Sequence, residues 1–78
     1  MLNDMDFIKT CDVPGPTKEA IRAIILYKSA VTPNDEVVDV GCGTGGITCE
    51  FAQRAKKVTS IDTNPDAISV TKQNLEKF

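Results

Sequence analysis

A short β-branched run, Glu36-Val37-Val38-Asp39-Val40, passes without a break into Gly41-Cys42-Gly43-Thr44-Gly45-Gly46. A strand that delivers a glycine loop into a helix is one half of a β-α-β unit, and such a unit buries its apolar surface only in a layered α/β arrangement. From Ile47 to about Ala55 the sequence continues as a helix, since Ile47, Phe51 and Ala55 recur every fourth residue. Arg54, Lys56 and Lys57 then place positive charge at its negative end. A second strand follows at Val58-Thr59-Ser60-Ile61-Asp62. Strand, helix and strand in this order predict a right-handed parallel crossover.

The flanks are read the same way. Residues 1–16 have no sustained period and end in Val13-Pro14-Gly15-Pro16, a rigid bend that stops structure propagating; they form an arm. Thr17 is placed as an N-cap for a helix over 17–30, with Ala20, Ile24, Tyr27 and Val31 on one face and Lys18, Arg22 and Lys28 off it. Thr32-Pro33-Asn34-Asp35 ends that helix in a turn. Asn64-Pro65-Asp66 is a helix start, with Asn64 as N-cap and proline at the first helical position. Ile68, Thr71, Leu75 and Phe78 then mark the face of a last helix that runs to the end.

At 78 residues the chain has room for one small domain and no second one. A chain of this length buries only about 60% of its unfolded surface, so its stability should be marginal. Val37, Val38 and Val40 lack the polar alternation of a sheet with one wet face, and parallel strands occur almost only inside covered sheets. The expectation is therefore a truncated fold whose later strands are missing, or one that pairs with another chain.

Composition narrows the function. Nine Lys+Arg stand against eleven Asp+Glu with no histidine, and neither sign gathers into a run, which argues against a nucleic-acid or membrane surface and for a small-molecule partner. The three cysteines, Cys11, Cys42 and Cys49, form no C-x-x-C pair, so neither a disulfide scaffold nor a zinc site is expected; a reducing, cytoplasmic setting suits them. With no histidine to act as a base, Cys42 within the loop reads as a small filler beside whatever the loop binds rather than a nucleophile.

The chemistry lies in the loop and in one acid. Gly41, Gly43 and Gly45 alternate where the backbone leaves the strand, so that main-chain N–H groups could face a ligand that a Cβ would hold off. Gly41, Gly43 and Gly46 also satisfy the dinucleotide pattern G-x-G-x-x-G, so the loop alone does not choose a cofactor. Asp62 stands at the end of the second strand, about 20 residues after the first glycine, where a carboxylate accepts both hydroxyls of a ribose. Asp39, on the same strand face as Gly41, puts negative charge beside the loop. That charge would repel the pyrophosphate of NAD and attract the sulfonium and ammonium of S-adenosylmethionine.

The stretch Val38-Asp39-Val40-Gly41-Cys42-Gly43-Thr44-Gly45 with Asp62 resembles motif I and the following acidic position of class I S-adenosylmethionine-dependent methyltransferases. Val13-Pro14-Gly15-Pro16-Thr17, Gly45-Gly46-Ile47-Thr48 and Ile61-Asp62-Thr63-Asn64-Pro65-Asp66-Ala67-Ile68 are similar to a narrower group, the decarboxylating C15-methyltransferases of cobalt-precorrin in cobalamin biosynthesis. The likeness implies the opening β-α-β-α portion of a Rossmann-like fold with parallel strands, preceded by an arm and a helix, in a longer homotetrameric enzyme. It implies cofactor contacts at Gly41, Cys42, Gly43, Thr44 and Gly45, at Asp62 and at Thr17, with a cobalt-precorrin tetrapyrrole as methyl acceptor. Adenine contacts from later strands have no matching positions here.

Methyl transfer is carried mostly by orientation, so no catalytic residue is named. Lys18, Arg22 and Lys28 read as a solvated face, with substrate carboxylates as the other use. Two further readings stay open: an NAD-binding oxidoreductase unit, and a non-catalytic fragment that self-associates through bare strand edges.

Overall fold

The computed structural model describes every residue from Met1 to Phe78. Its elements run in the order α1 (Glu19–Ser29), β1 (Glu36–Val40), α2 (Gly46–Ala52), β2 (Lys57–Ile61) and α3 (Pro65–Lys77), with a single 3-10 turn at Asp4–Asp6 inside the arm. β1 and β2 pair in parallel, with Asp39 opposite Ser60 and Val40 opposite Ile61. That register sets the loop after β1 and Asp62 after β2 side by side at the C-terminal edge of the strands, where open α/β sheets bind ligands.

The helices cover one face of the sheet. Val37, Asp39, Val58 and Ser60 are half-buried on the side of α2, whereas the other face is bare. There Val38, Val40 and Ile61 are 60%, 76% and 49% exposed, so the apolar strand residues lack the covering layer that their composition calls for.

α3 begins as its sequence predicts: the Asn64 side chain accepts from Asp66 N at 2.9 Å, and Pro65 occupies the first helical position. Its buried stripe is Ala67, Val70, Thr71 and Asn74, about one residue out of phase with the expected Ile68, Thr71, Leu75 and Phe78; Leu75 and Phe78 lie at the margin. α2 ends at Ala52, short of the expected Ala55.

α1 departs further. Its N-cap is Lys18, without a side-chain cap, so Thr17 does not cap it. The expected apolar face is turned outward, with Ile24 and Tyr27 55% and 82% exposed and Ala20 exposed as well. Arg22, expected on the wet face, is the buried residue of this helix. Its Nε donates to Glu50 Oε2 at 3.0 Å, Nη1 to Asp4 and the Thr17 carbonyl, and Nη2 to the Leu2 carbonyl, while its guanidinium lies 5.2 Å from the centre of the Phe7 ring. An arginine is buried when each of its donors finds an acceptor, and here the acceptors come from the arm and from α2.

The arm is therefore part of the folded unit. Phe7 and Val13 are buried, Val13 against Ala67 and Val70, and Phe7 packs on Phe78 with ring centres 5.0 Å apart and the rings tilted by 57°. Leu2 N donates to Glu50 Oε2 at 3.1 Å. The interior is nearly as polar as apolar, with Arg22, Thr44, Thr48, Glu50, Thr71 and Asn74 beside Phe7, Val13, Cys42, Cys49, Phe51, Ala67 and Val70. No buried side-chain nitrogen or oxygen lacks a partner, so hydrogen bonds as much as apolar fit specify this packing.

Candidate functional site

The site is built where β1 and β2 end. Gly41 N and Cys42 N both donate to the Ile61 carbonyl, at 2.7 and 3.2 Å, which continues the ladder one step past β1 and draws the loop across to β2. Asp62 then meets the loop: its Oδ2 accepts from Gly43 N at 3.1 Å and its Oδ1 from Asn64 N at 2.9 Å. These amide donors, that of Asn64 first and that of Gly43 next, hold the Asp62 carboxyl below the usual carboxylate range. An ionised carboxylate offers about four lone-pair sites, so acceptor capacity remains beyond these bonds for a ligand with hydroxyls.

The expected bare amides are not all bare. Gly41 N, Cys42 N, Gly43 N and Gly45 N each donate within the chain, Gly45 to the Cys42 carbonyl at 2.9 Å, because backbone donors held against a core need partners. From Gly41 to Gly45, the Thr44 amide alone has no acceptor in the chain. The glycines have other work. Gly43 adopts φ 55° and a Cβ built on it would meet nothing within 4 Å, so the loop turns left-handed with an open face there, as it does at Gly41. At Gly45 the φ is 99° and a Cβ would come within 3.0 Å of Thr71 Oγ1, so that glycine lets the loop seat on α3.

The other predicted site residues divide between the opening and the interior. Cys42 is buried beneath the loop, with Thr71 Oγ1 at 3.4 Å from its Sγ. Thr44 is buried and donates its hydroxyl to the Pro14 carbonyl, away from the open face. Asp39 is half-buried toward α2, where its Oδ2 accepts from Thr48 Oγ1 at 2.6 Å. Thr48 Oγ1 lies 2.7 Å from Ser60 Oγ. Thr48 has one hydroxyl hydrogen and Asp39 only accepts, so Ser60 donates to Thr48. Asp39 is thus tied to α2 through one oxygen, and Oδ1 has no hydrogen bond within the chain. Thr17 is exposed, yet it lies at the end of the loop: its backbone nitrogen would be 3.3 Å from a Cβ on Gly46. The missing side chain of Gly46 is what lets Pro16 and Thr17 close down on the start of α2.

Residues not expected at the site also hold it. Thr71 donates to the Gly43 carbonyl at 2.9 Å, and Asn74 donates to the Thr44 carbonyl at 2.9 Å. Arg22 fixes the Thr17 carbonyl. No local pattern marks Thr71 and Asn74 as site residues, because they meet their loop carbonyls 28 and 30 residues away. No group of His, Cys, Asp and Glu is placed to hold a metal ion.

Residues 31–78, which contain the strands, the loop and Asp62, match a family described as a methyltransferase domain. The chain belongs to that methyltransferase family. It is 49% identical over 77 residues to a probable cobalt-precorrin-6B C(15)-methyltransferase (decarboxylating) of Methanothermobacter thermautotrophicus, covering 99% of this chain and 40% of the relative. The similarly named protein of Methanocaldococcus jannaschii is 53% identical over 78 residues, covering 100% of this chain and 42% of its own. Among solved structures, precorrin 8W decarboxylase of Methanobacterium thermoautotrophicum superposes with a TM-score of 0.96 at 49% identity, over 99% of this chain and 41% of that one. A dimethyladenosine transferase from Plasmodium falciparum matches with a TM-score of 0.74 at 32% identity, over 80% of this chain and 23% of that one. The chain thus spans about 40% of the length of the curated relatives it matches. The expected fold is borne out: the parallel β1–β2 pair and its helices superpose on the decarboxylase structure over 99% of this chain. No helix is long and apolar enough to cross a membrane.

Proposed function

We propose that this chain forms the cofactor-gripping part of an S-adenosylmethionine-dependent methyltransferase that acts on a cobalt-precorrin, methylating C15 with loss of carbon dioxide from an acetate side chain. The substrate assignment rests on the names of the relatives at 49% and 53% identity. The cofactor assignment rests on one observation of geometry: the Asp62 carboxylate is held at the open face of the glycine loop, 3.1 Å from Gly43 N. A ribose with two adjacent hydroxyls fits the acceptor capacity that Asp62 has left.

S-adenosylmethionine, when bound, supplies an activated methyl group. This chain's own residues orient it: Asp62 takes the ribose, the open backbone at Gly41 and Gly43 admits the sulfonium end, and the free Oδ1 of Asp39 offers a negative partner to the ammonium. Thr17 closes the amino-acid end from the arm side. A pyrophosphate has no cationic partner among these groups and would meet two carboxylates, which disfavours NAD. Assembly into a homo-oligomer belongs to the same proposal and is read by sedimentation.

Calorimetric titration tests the reading. Saturable heat with S-adenosylhomocysteine that disappears in Asp62→Ala supports it. Saturation by NAD, or equal affinity of the wild-type chain and Asp62→Ala for S-adenosylhomocysteine, overturns it.

A further inference from the structure

α3 carries two buried polar side chains one helical turn apart, Thr71 and Asn74, on the same stripe as the apolar Ala67 and Val70. Their hydrogen bonds leave the helix. Thr71 Oγ1 donates to the Gly43 carbonyl at 2.9 Å, and its Cα and methyl group pack where a Gly45 side chain would stand. Asn74 Nδ2 donates to the Thr44 carbonyl at 2.9 Å and to the Ile8 carbonyl at 3.0 Å, while its Oδ1 accepts from Ile8 N at 2.7 Å. Packing alone would be served by apolar side chains at both places, as it is at Ala67 and Val70. A buried amide is tolerated only when its bonds are made, and all three of these point at backbone.

The consequence follows from peptide geometry. The unit is planar and trans, so a carbonyl held in one direction turns the next N–H in the opposite one. With the Gly43 carbonyl drawn toward α3, the Thr44 N–H points away from α3, and this is the loop amide without an acceptor in the chain. With the Thr44 carbonyl drawn to Asn74, the Gly45 N–H is directed to the Cys42 carbonyl that closes the turn.

We infer that Thr71 and Asn74 are positioning residues for the cofactor loop: they hold two successive loop carbonyls against α3 so that the open, left-handed face and the unpaired Thr44 amide are turned to the ligand. Asn74 also joins the loop to the arm, since the same side chain brackets Ile8. The inference rests on the S-adenosylmethionine reading above for the identity of that ligand.

The test uses the 78-residue chain with Thr71→Val, which keeps the shape and removes the hydroxyl, Thr71→Ser, which restores it, and Asn74→Asp, which keeps the acceptor and removes both donations. Amide hydrogen exchange without ligand reads the loop directly. Gly43 and Thr44 are the two central residues of the turn that Gly45 N closes on the Cys42 carbonyl, so in Thr71→Val and Asn74→Asp alike the Gly45 amide exchanges about tenfold faster relative to the Ala67 amide of α3, the change that goes with losing one hydrogen bond. In Thr71→Ser the ratio returns to that of the wild-type chain. Titration with S-adenosylhomocysteine then gives a dissociation constant raised about fivefold to tenfold in the first two variants and restored in the third. A loss of global stability alone would speed both amides together and leave the affinity of the folded chain unchanged, and that result overturns the inference, as does an unchanged exchange ratio. If the wild-type chain takes up no S-adenosylhomocysteine, the cofactor reading falls, while the exchange ratio still decides whether these side chains set the loop. Should Asn74→Asp fail to fold, the Thr71 pair decides alone.

Discussion

Replacing Arg22 by methionine tests the packing that fixes the arm and the start of α2. Arg22 and Glu50 are both fully buried, and removing the cation leaves the carboxylate with Leu2 N at 3.1 Å and Arg54 Nη1 at 3.1 Å as its remaining donors. Breaking a buried pair from one side costs about 3–5 kcal/mol, and because Arg54 stays, the lower end applies, about 3 kcal/mol. A chain of this size has about 4–12 kcal/mol in total, so the variant should lose a quarter or more of its stability. Urea unfolding followed by circular dichroism measures the loss as a shift in midpoint at constant slope. The double change Arg22→Met with Glu50→Leu removes the stranded charge and should fall well short of the sum of the two single losses. A loss under about 1 kcal/mol for Arg22→Met, the behaviour of an exposed cation, would refute the buried network, as would strict additivity in the double variant.

Three further outcomes are expected. Gly45→Ala should cost about 2–4 kcal/mol in the same urea unfolding, because the residue sits at φ 99° and the new Cβ would meet Thr71 at 3.0 to 3.2 Å; Gly15→Ala, with nothing within 4 Å, should be close to neutral. Burial, reinforced by the Glu50 charge, pushes the Cys49 thiol up to about 11, so at pH 8 a disulfide reagent should find Cys11 quickly in the native chain and reach all three cysteines only in denaturant. The Asp62 carboxyl should titrate below the ordinary value of about 3.9; its contribution to stability is fully present above that value and is lost as pH falls through the lower folded one. A carbon-13 titration with a midpoint at or above the ordinary value would contradict the Asn64 and Gly43 hydrogen bonds.

The parts that were legible in the sequence are those with local causes. Strand β1 runs into its loop within a few residues, Asn64 and Pro65 start α3 by capping and fixed φ, and Asp62 reaches Gly43 because parallel pairing of β1 with β2 sets it there. What escaped depends on distant partners. Arg22 looked solvated because its acceptors lie in the arm and 28 residues away at Glu50. The outward turn of Ile24 and Tyr27 follows from the same cause, since α1 is docked by that guanidinium rather than by its apolar stripe. The phase of α3 is set by Asn74, which reaches back to Ile8 across 66 residues, a pairing that no periodicity displays. In the site, Asp62 could be placed from spacing, whereas the tie of Asp39 to Thr48 and the turning of Thr44 toward Pro14 depend on how α2 and the arm close.

The central claim concerns where a nucleoside sits, and a crystal structure of the chain with S-adenosylhomocysteine measures that directly. The account predicts both ribose hydroxyls within hydrogen-bonding distance of the Asp62 carboxylate and the amino-acid end lying over Gly41 and Gly43 toward Thr17. A nucleoside bound away from Asp62, or a ribose held by other side chains while Asp62 keeps only Gly43 and Asn64, would contradict it.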